Sequence, residues 1–150
     1  MARYSRTVLV EWMEPLVPLT PWKILGLCRV ASYTLLLSNS IRRDVLLVNR
    51  FSDGYLAVFK PWRLRGLRMD EESCTGLIRR AILYGKVPGV ELARNKPLDT
   101  EGCCSHTEAL RECCDCIRLP APLAVVGGVR LYAWFLAAVI LMRADVVCGE

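Results

Sequence analysis

An apolar helix followed directly by an apolar strand is the feature of this sequence that most restricts its fold. The helix is predicted over residues 22–38 and is apolar on nearly every side, as central helices are. The strand, residues 44–49, has the continuous apolar run of a parallel strand that is covered on both faces. Both elements must be covered by other parts of the protein on nearly every side, because their apolar side chains would otherwise be exposed to water. The sequence therefore predicts an α/β domain with a mostly parallel sheet flanked by helices.

Shorter elements complete this prediction. Thr20 and Pro21 form a helix start, because Thr is a good N-cap and Pro suits the first helical position. A further helix begins after Asp70 and ends before Gly85, and a short one is expected over residues 105–116. Strands are expected at residues 7–12, 55–59, 90–93 and 123–126. The last of these, followed by Gly127-Gly128 and an apolar segment, predicts a strand, a glycine turn and a helix.

The positive charge is concentrated in the first two thirds of the chain. Of 150 residues, 20 are Lys or Arg and 15 are Asp or Glu, and 16 of the 20 cations are arginine. Residues 1–98 hold 16 basic and 8 acidic side chains, and the remainder holds 4 and 7. Arginine presents a planar fork that suits phosphate, so this surface indicates nucleic acid, another phosphate or an anionic membrane. An ordinary solvated surface is the alternative.

Cysteines crowd into one segment. Five of the eight lie between residues 103 and 116, and the spacing Cys103-x2-His106-x6-Cys113-x2-Cys116 offers four ligands of the types that zinc binds. Zinc, disulfides and reduced thiols all remain open, and no metal ligand is assigned. The first residues lack a signal-peptide apolar region, which predicts a cytoplasmic protein. Disulfides are rare in that compartment except in hyperthermophiles.

The last apolar segment raises the question of a membrane. Residues 131–142 carry no charge, but they number twelve, and a membrane-spanning helix needs about twenty. This segment is therefore expected to be a buried core helix rather than an anchor.

The segment Ser-Asn-Ser-Ile-Arg-Arg-Asp-Val at residues 38–45 carries the strongest chemical signal. It joins the apolar helix to the buried strand, which places Arg42, Arg43 and Asp44 on the rim of the sheet. There arginine can hold phosphate and aspartate can accept a proton. A surface Arg–Asp pair is the structural alternative.

Five segments in the same order resemble the archaeal tRNA pseudouridine N1-methyltransferases, which are SPOUT-class enzymes. They are Leu-Gly-Leu-Cys-Arg at 25–29, the junction at 38–45, the stretches at 68–72 and 78–82, and Pro-Gly-Val at 88–90. The resemblance covers about residues 22–94. It implies a SPOUT-like α/β domain with a C-terminal trefoil knot, normally a homodimer. It also implies S-adenosylmethionine as cofactor and tRNA, not DNA, as partner, with methylation at N1 of the T-arm pseudouridine at position 54.

The resemblance also implies roles for particular residues. Asp44, with Arg43, is the expected catalytic group, accepting the N1 proton or orienting the base. Arg42 is expected to hold RNA phosphate or to steady Asp44. An RNA-binding track, with Trp62 among its cations, is expected at Lys60, Arg63, Arg65 and Arg68. A solvated strand edge is the alternative for that run.

The sequence departs from the family at its cofactor end. The family has Gly-Asp-His-x-Gly where this chain has Gly127-Gly128-Val129-Arg130, and Asn39 replaces the family's histidine in the junction. Gly127 and Gly128 remain the expected cofactor contacts. Residues 144–149 correspond to the family's next strand and loop, which adds Cys148. The final family helix has no counterpart before residue 150, so the knot is expected to be incomplete.

One SPOUT-like domain over residues 1–150 is therefore expected, with a cysteine-rich insert at about 99–118 and a shortened cofactor end at about 119–150. Two alternatives to an active methyltransferase stay open. One is a catalytically inactive relative that binds RNA or serves as a dimerisation partner. The other is an unrelated α/β protein with a membrane-associated tail.

Overall fold

A seven-stranded sheet organises the part of the chain that the computed structural model describes, which is residues 6–36, 42, 44–64 and 71–148. The strands are β1 (Arg6–Trp12), β2 (Val45–Arg50), β3 (Tyr55–Phe59), β4 (Lys86–Val87), β5 (Val90–Arg94), β6 (Cys104–Ser105) and β7 (Cys116–Ala121), and a separate hairpin contains β8 (Leu123–Val126) and β9 (Val129–Tyr132). The helices are α1 (Pro21–Leu35), α2 (Glu71–Tyr84), α3 (His106–Ala109) and α4 (Ala133–Val147).

The centre of the sheet is parallel. Its strand order is β4-β5-β3-β2-β1-β7-β6, and β2, β1, β7 and β6 all run in the same direction. β3 is antiparallel to β2, and the β4–β5 hairpin continues that antiparallel end. The expected α/β class, with a mostly parallel sheet and flanking helices, is confirmed.

The two faces of the sheet differ in what covers them. Val8, Val10 and Trp12 of β1 face the main core, which also contains the buried sides of α1, α2 and α4. Leu9 and Val48 face the other way, into a smaller cluster against which Leu98 packs. The three long helices therefore lie on one face, and the opposite face carries much of the sheet's polar surface.

The two apolar elements at the start of the sequence analysis form as expected. The Thr20 hydroxyl accepts a hydrogen bond from the backbone N–H of Lys23 at 3.3 Å, and Pro21 is the first helical residue. α1 ends at Leu35, before the expected residue 38, and residues 37–41 lie outside the described part. β2 begins at Val45 and pairs in parallel with β1.

The segment after residue 104 folds differently from the expectation. The helix expected over residues 105–116 is only α3, and the strand that enters the central sheet is β7, not residues 123–126. Pro120 argued against a strand here, because proline has no backbone N–H to donate to the hydrogen bonds between strands and is usually excluded from central strands. Its missing N–H costs little here, since β6 pairs only with Ile117 and Arg118 and leaves Pro120 without a neighbour on that side.

Gly127 and Gly128 form the turn of a hairpin rather than a turn between a strand and a helix. β8 pairs antiparallel with β9, and the two glycines have φ angles of 56° and 81°. Two-residue hairpin turns of this kind need positive φ at both positions, which is why glycine occupies them.

All eight cysteines form disulfides, so the zinc and reduced-thiol alternatives are wrong in this structure. The pairs are Cys28–Cys74, Cys103–Cys116, Cys104–Cys114 and Cys113–Cys148. Three of these bonds cross-link the cysteine-rich segment to itself, to β7 and to the end of α4, and the fourth joins α1 to α2. Within the described residues, no cluster of His, Cys, Asp or Glu is arranged to hold a metal ion.

The C-terminal segment is a single helix. Residues 144–147, expected to begin a strand, are the last turn of α4, and Cys148 caps it through its N–H to the Ala144 carbonyl. α4 has fifteen residues, and across the described ranges no helix is both long and apolar enough to cross a membrane. The outer side of α4 is exposed, so the helix is only half buried.

The Cys28–Cys74 disulfide is expected to contribute strongly to stability, because it closes a loop of 46 residues between two buried positions. In the chain-entropy description, replacing both cysteines by alanine lowers the free energy of unfolding by about 4 kcal/mol. Removing Cys103–Cys116 is expected to cost clearly less, because Cys104–Cys114 lies inside its 13-residue loop and already keeps that loop closed. Urea denaturation without reductant measures both variants, and equal losses would contradict the loop-length argument.

Candidate functional site

A basic cavity lies where β3 leaves the sheet and meets the β4–β5 hairpin. Its volume is about 280 Å³, and the cations that line it are Lys60, Arg63 and Lys86. Among the described residues, the carboxylate of Glu91 is the one acidic group on its wall. Its Oε2 atom lies 4.0 Å from Lys60 Nζ, and its Oε1 atom lies 3.9 Å from Lys96 Nζ. The cavity therefore carries a net positive charge.

Strand pairing brings these cations together. Lys86 is opposite Glu91 in the β4–β5 hairpin, and Glu91 is opposite Val58 of β3. Lys60 follows Val58 by two residues, so its side chain projects from the same face of the sheet. Arg63 ends the short 3-10 turn Pro61–Arg63 that begins next to it.

A glycine fixes the hairpin against this turn. Gly89 has φ +88° and follows Pro88, the arrangement of a type II turn. Its carbonyl accepts a hydrogen bond from Lys60 N–H at 2.7 Å. A Cβ atom on Gly89 would lie 2.6 Å from Leu64 Cα, so the two backbone segments touch directly. This close contact holds the two sides of the cavity together.

Two of the four residues in the expected RNA-binding track belong to the part of the chain that the structure describes. Lys60 and Arg63 line one cavity, and Arg65 and Arg68 lie outside the described residues. Sequence reasoning missed Lys86, which is 26 residues from Lys60 in the chain. The pairing of residues 86–87 with 90–91 around Pro-Gly was the signal that could have placed it.

At the junction, the structure gives Arg42 an internal partner in place of the expected RNA phosphate or Asp44. The side chain is 9% exposed, and its guanidinium contacts both carboxylate oxygens of Asp145 in α4, at 2.8 and 2.6 Å. The Arg42 N–H bonds to the Leu35 carbonyl, and its buried Nε has no hydrogen-bond partner among the described residues. Arg42 therefore ties the junction to the last turn of α4.

Asp44 lies at the amino end of β2. It is exposed, and its carbonyl accepts a hydrogen bond from Arg6 N–H at 3.3 Å. Arg43 lies outside the described residues. Asp44 is thus an exposed residue at the start of β2, and its catalytic role stays a prediction.

A second polar cluster lies on the face opposite the long helices. Glu11 of β1 bonds to Arg118 at 3.0 and 3.1 Å and to Arg50 at 2.5 Å. Partial burial raises the pKa of Glu11, but the two arginines outweigh that effect and hold it below its usual value. The cluster therefore stabilises the fold above the ordinary glutamate pKa and loses this contribution as the pH falls through the lowered value. A cavity of about 270 Å³ next to it also includes His106, whose Nε2 lies 2.9 Å from the Val125 carbonyl oxygen.

The carboxyl edge of the parallel strands is the usual ligand site of α/β sheets, and here it is filled. Trp12, Trp22 and Trp134 line a hollow there together with Arg29, whose guanidinium lies 5.6 Å from the centre of the Trp134 ring. The space that remains is about 10 Å³, which is about the minimum that a single water molecule needs.

The three residues expected to bind a cofactor do not assemble around a cavity. Gly127 and Gly128 are exposed at the tip of the hairpin, and a Cβ atom on either would meet no atom within 4 Å. Cys148 is bonded to Cys113 beyond the last turn of α4, while the hairpin starts beside the first turn of that helix. None of the three lines the hollow or the basic cavity.

The four-stranded parallel centre, with its antiparallel end and its helices, defines an α/β fold that is also found in a solved structure. The crystal structure of Archaeoglobus fulgidus Nep1 bound to S-adenosylhomocysteine is similar, with a TM-score of 0.62. The match covers 98% of this chain and 100% of that chain at 13% sequence identity, and at this identity it shows the fold alone. No protein-family profile and no curated protein sequence matches the chain.

Replacing Gly89 by alanine tests how the basic cavity is built. The new methyl group must displace the Leu64 backbone and also sits at an unfavourable positive φ, so the free energy of unfolding is expected to fall by about 2 kcal/mol. Gly76→Ala in α2 is the matched control. A Cβ there meets no atom within 4 Å, and this variant is expected to gain up to about 1 kcal/mol. Urea denaturation compares the two, and an unchanged Gly89→Ala variant would contradict the close contact.

Proposed function

We propose that this chain is an RNA methyltransferase that modifies N1 of pseudouridine in the T-arm of tRNA, with S-adenosylmethionine as methyl donor. The observation that carries the proposal is the fold, which extends over nearly the whole chain and is similar to that of Nep1 bound to S-adenosylhomocysteine. S-adenosylhomocysteine is what S-adenosylmethionine becomes when it gives up its methyl group. The family-like segments at residues 25–29, 38–45 and 88–90 support the same substrate class.

The basic cavity supports an RNA partner. Three cations and one carboxylate of the described part of the chain line it, and charge of this kind binds the phosphate backbone of nucleic acids. In the sequence, Arg65 and Arg68 follow Arg63 closely. A tRNA is the partner that we propose for this surface.

Asp44 is the residue that we propose for the proton transfer. N1 of pseudouridine carries a proton that must leave when the nitrogen is methylated, and an exposed carboxylate can accept it. Two residues before it, Arg42 forms an ion pair with Asp145 of α4, and Asp44 itself directly precedes β2. Arg43 remains the proposed partner of Asp44 in orienting the base.

The three residues expected to bind S-adenosylmethionine do not form a binding site for it within a single chain. Gly127 and Gly128 are at an exposed tip, Cys148 is bonded to another sulfur, and the carboxyl edge is filled by tryptophan. We therefore derive no step through the methyl donor. The filled edge favours a second candidate function, an RNA-binding relative that does not transfer methyl groups.

A homodimer is part of the proposal. Phe135, Val139, Met142 and Val146 form an exposed apolar stripe along α4, at the spacing of one helical face. The charged side chains of this helix do not interrupt it, since Arg143 bonds to the Arg111 carbonyl and Asp145 to Arg42. Exposed apolar surface of this extent marks an interaction site. A second copy of the chain, seated on this stripe, is the partner that we propose.

Asp44→Asn tests the catalytic part of the proposal. The variant keeps the shape of the side chain but cannot accept the proton, so methyl transfer to pseudouridine-containing tRNA is expected to fall at least about a hundredfold. Its affinity for tRNA is expected to change less than twofold. Transfer of labelled methyl and filter binding measure the two effects, and transfer at the wild-type rate would show that Asp44 is not the proton acceptor.

The two candidate functions separate in a calorimetric titration of the wild-type chain with S-adenosylhomocysteine. A methyltransferase binds it and transfers methyl groups to tRNA. The non-catalytic relative binds tRNA but gives no heat with the cofactor product and no transfer.

Val139→Glu tests the dimer. A charge in the middle of the α4 stripe cannot be buried without a partner, so the variant is expected to sediment as a monomer while the wild type sediments as a dimer. Leu83→Glu, at an exposed apolar position of α2, is the matched control and is expected to remain dimeric. Analytical ultracentrifugation decides the point, and a monomeric wild-type chain would overturn the proposal.

A further inference from the structure

We infer that the cavity between Lys60, Arg63 and Lys86 is a subsite for one phosphodiester group of the RNA backbone, with Lys86 as a contact that the family-like motifs do not include. The inference rests on the proposed RNA function. It goes beyond that function by assigning a bounded site and a residue from a distant hairpin.

The charges around the cavity are arranged for an anion. Glu91 is shared between Lys60 and Lys96, at 4.0 and 3.9 Å, so it neutralises neither fully. Arg63 and Lys86 are exposed and have no ion-pair partner within the described ranges. An incoming phosphate therefore meets at least two cations without having to displace a carboxylate from them.

The shape of the cavity suits a chain of nucleotides rather than a free small molecule. Its volume of about 280 Å³ is slightly below the usual range of small-molecule pockets, and it lies open at the surface. A phosphodiester can enter it while the sugars on either side continue along the surface. Arg63 offers the planar fork that binds two phosphate oxygens, and the lysines add point charges.

The cavity is also preformed. The Gly89 carbonyl binds the Lys60 N–H, and the Gly89 backbone touches Leu64, so both walls are fixed by main-chain contacts. The cations therefore need only side-chain adjustment when the phosphate binds, which lowers the entropic cost of binding. Trp62, between Lys60 and Arg63, is half-buried at the same turn.

The salt dependence of RNA binding tests the subsite. Each phosphate contact adds about 0.7 to the slope of log affinity against log salt for single strands. Replacing Lys60, Arg63 and Lys86 together by methionine removes the whole phosphate contact and is expected to reduce the magnitude of this slope by about 0.7. Lys86→Met alone is expected to reduce the magnitude by a measurable part of that and to weaken binding by up to about fivefold near 0.1 M salt. Fluorescence anisotropy with a short fluorescein-labelled single-stranded RNA measures both quantities for the wild-type chain and its variants.

Lys96→Met is the matched control. It removes the same charge and also loses a contact with Glu91, but Lys96 does not line the cavity. Its slope is expected to equal that of the wild type, and Lys86→Arg is expected to keep the wild-type slope. Both lysines are exposed, and thermal unfolding followed by circular dichroism checks that the variants keep the fold.

Three outcomes would overturn the subsite: an unchanged slope in Lys86→Met, an equal loss in Lys96→Met, or displacement of the RNA by an equal concentration of a poly-glutamate peptide. The last would assign the cavity to acidic protein segments. The methyl-transfer assay is independent of all three. A Lys86-dependent slope without transfer supports the subsite and rejects the enzyme, and transfer with an unchanged slope does the reverse.

Discussion

A buried hydrogen bond between the Trp12 indole and the Asn49 side chain holds the centre of this fold together. The indole N–H donates to Asn49 Oδ1 at 2.9 Å, and Asn49 Nδ2 donates to the Ala57 carbonyl at 3.3 Å. Three adjacent strands are thereby joined by side chains as well as by their ladders. Each buried polar group in this chain of bonds has a partner, so removing one member leaves another unsatisfied in the core. The Trp12 ring also stacks on Phe51. Its nearest carbon would lie 2.9 Å from a Cβ atom on Gly26, so the missing side chain of Gly26 lets α1 approach the sheet closely.

The spacing of apolar residues along the sequence was sufficient to predict those helices and strands whose position depends only on which face they bury. The apolar run of β2, the capped start of α1 and the cysteine-bearing face of α2 follow from residue spacing, since each buries a regular stripe or face. β7 was missed because its sequence contains a proline and a cysteine, and its place in the sheet depends on neighbours distant in the chain. The disulfide pairing could not be predicted from the sequence either. Eight cysteines allow 105 pairings, and only three-dimensional proximity selects among them.

The candidate site shows the same division. Residue type and local spacing indicated that Lys60 and Arg63 would work together, but Lys86 joins them only through strand pairing. Arg42 was identified as important from its motif, yet its partner Asp145 is 103 residues away. The glycines of the expected cofactor loop are explained by the geometry of a hairpin turn. A hairpin turn and a cofactor-binding loop both favour a pair of glycines, so the sequence alone does not distinguish a turn from a binding loop.

The disulfides divide the chain into two covalent blocks, and this determines what a single backbone cut can do. Cys28–Cys74 closes the first block, the other three bonds close the second over residues 103–148, and no bond connects them. A protease that cuts between residues 75 and 102 therefore produces two separate polypeptides, held by the β1–β7 ladder and by the packing of α1 on α4. A cut between residues 104 and 113 leaves every part of the protein covalently attached. Between Cys28 and Cys148 the molecule thus has one segment in which its integrity depends on noncovalent contacts alone, and that segment contains the hairpin that forms the basic cavity.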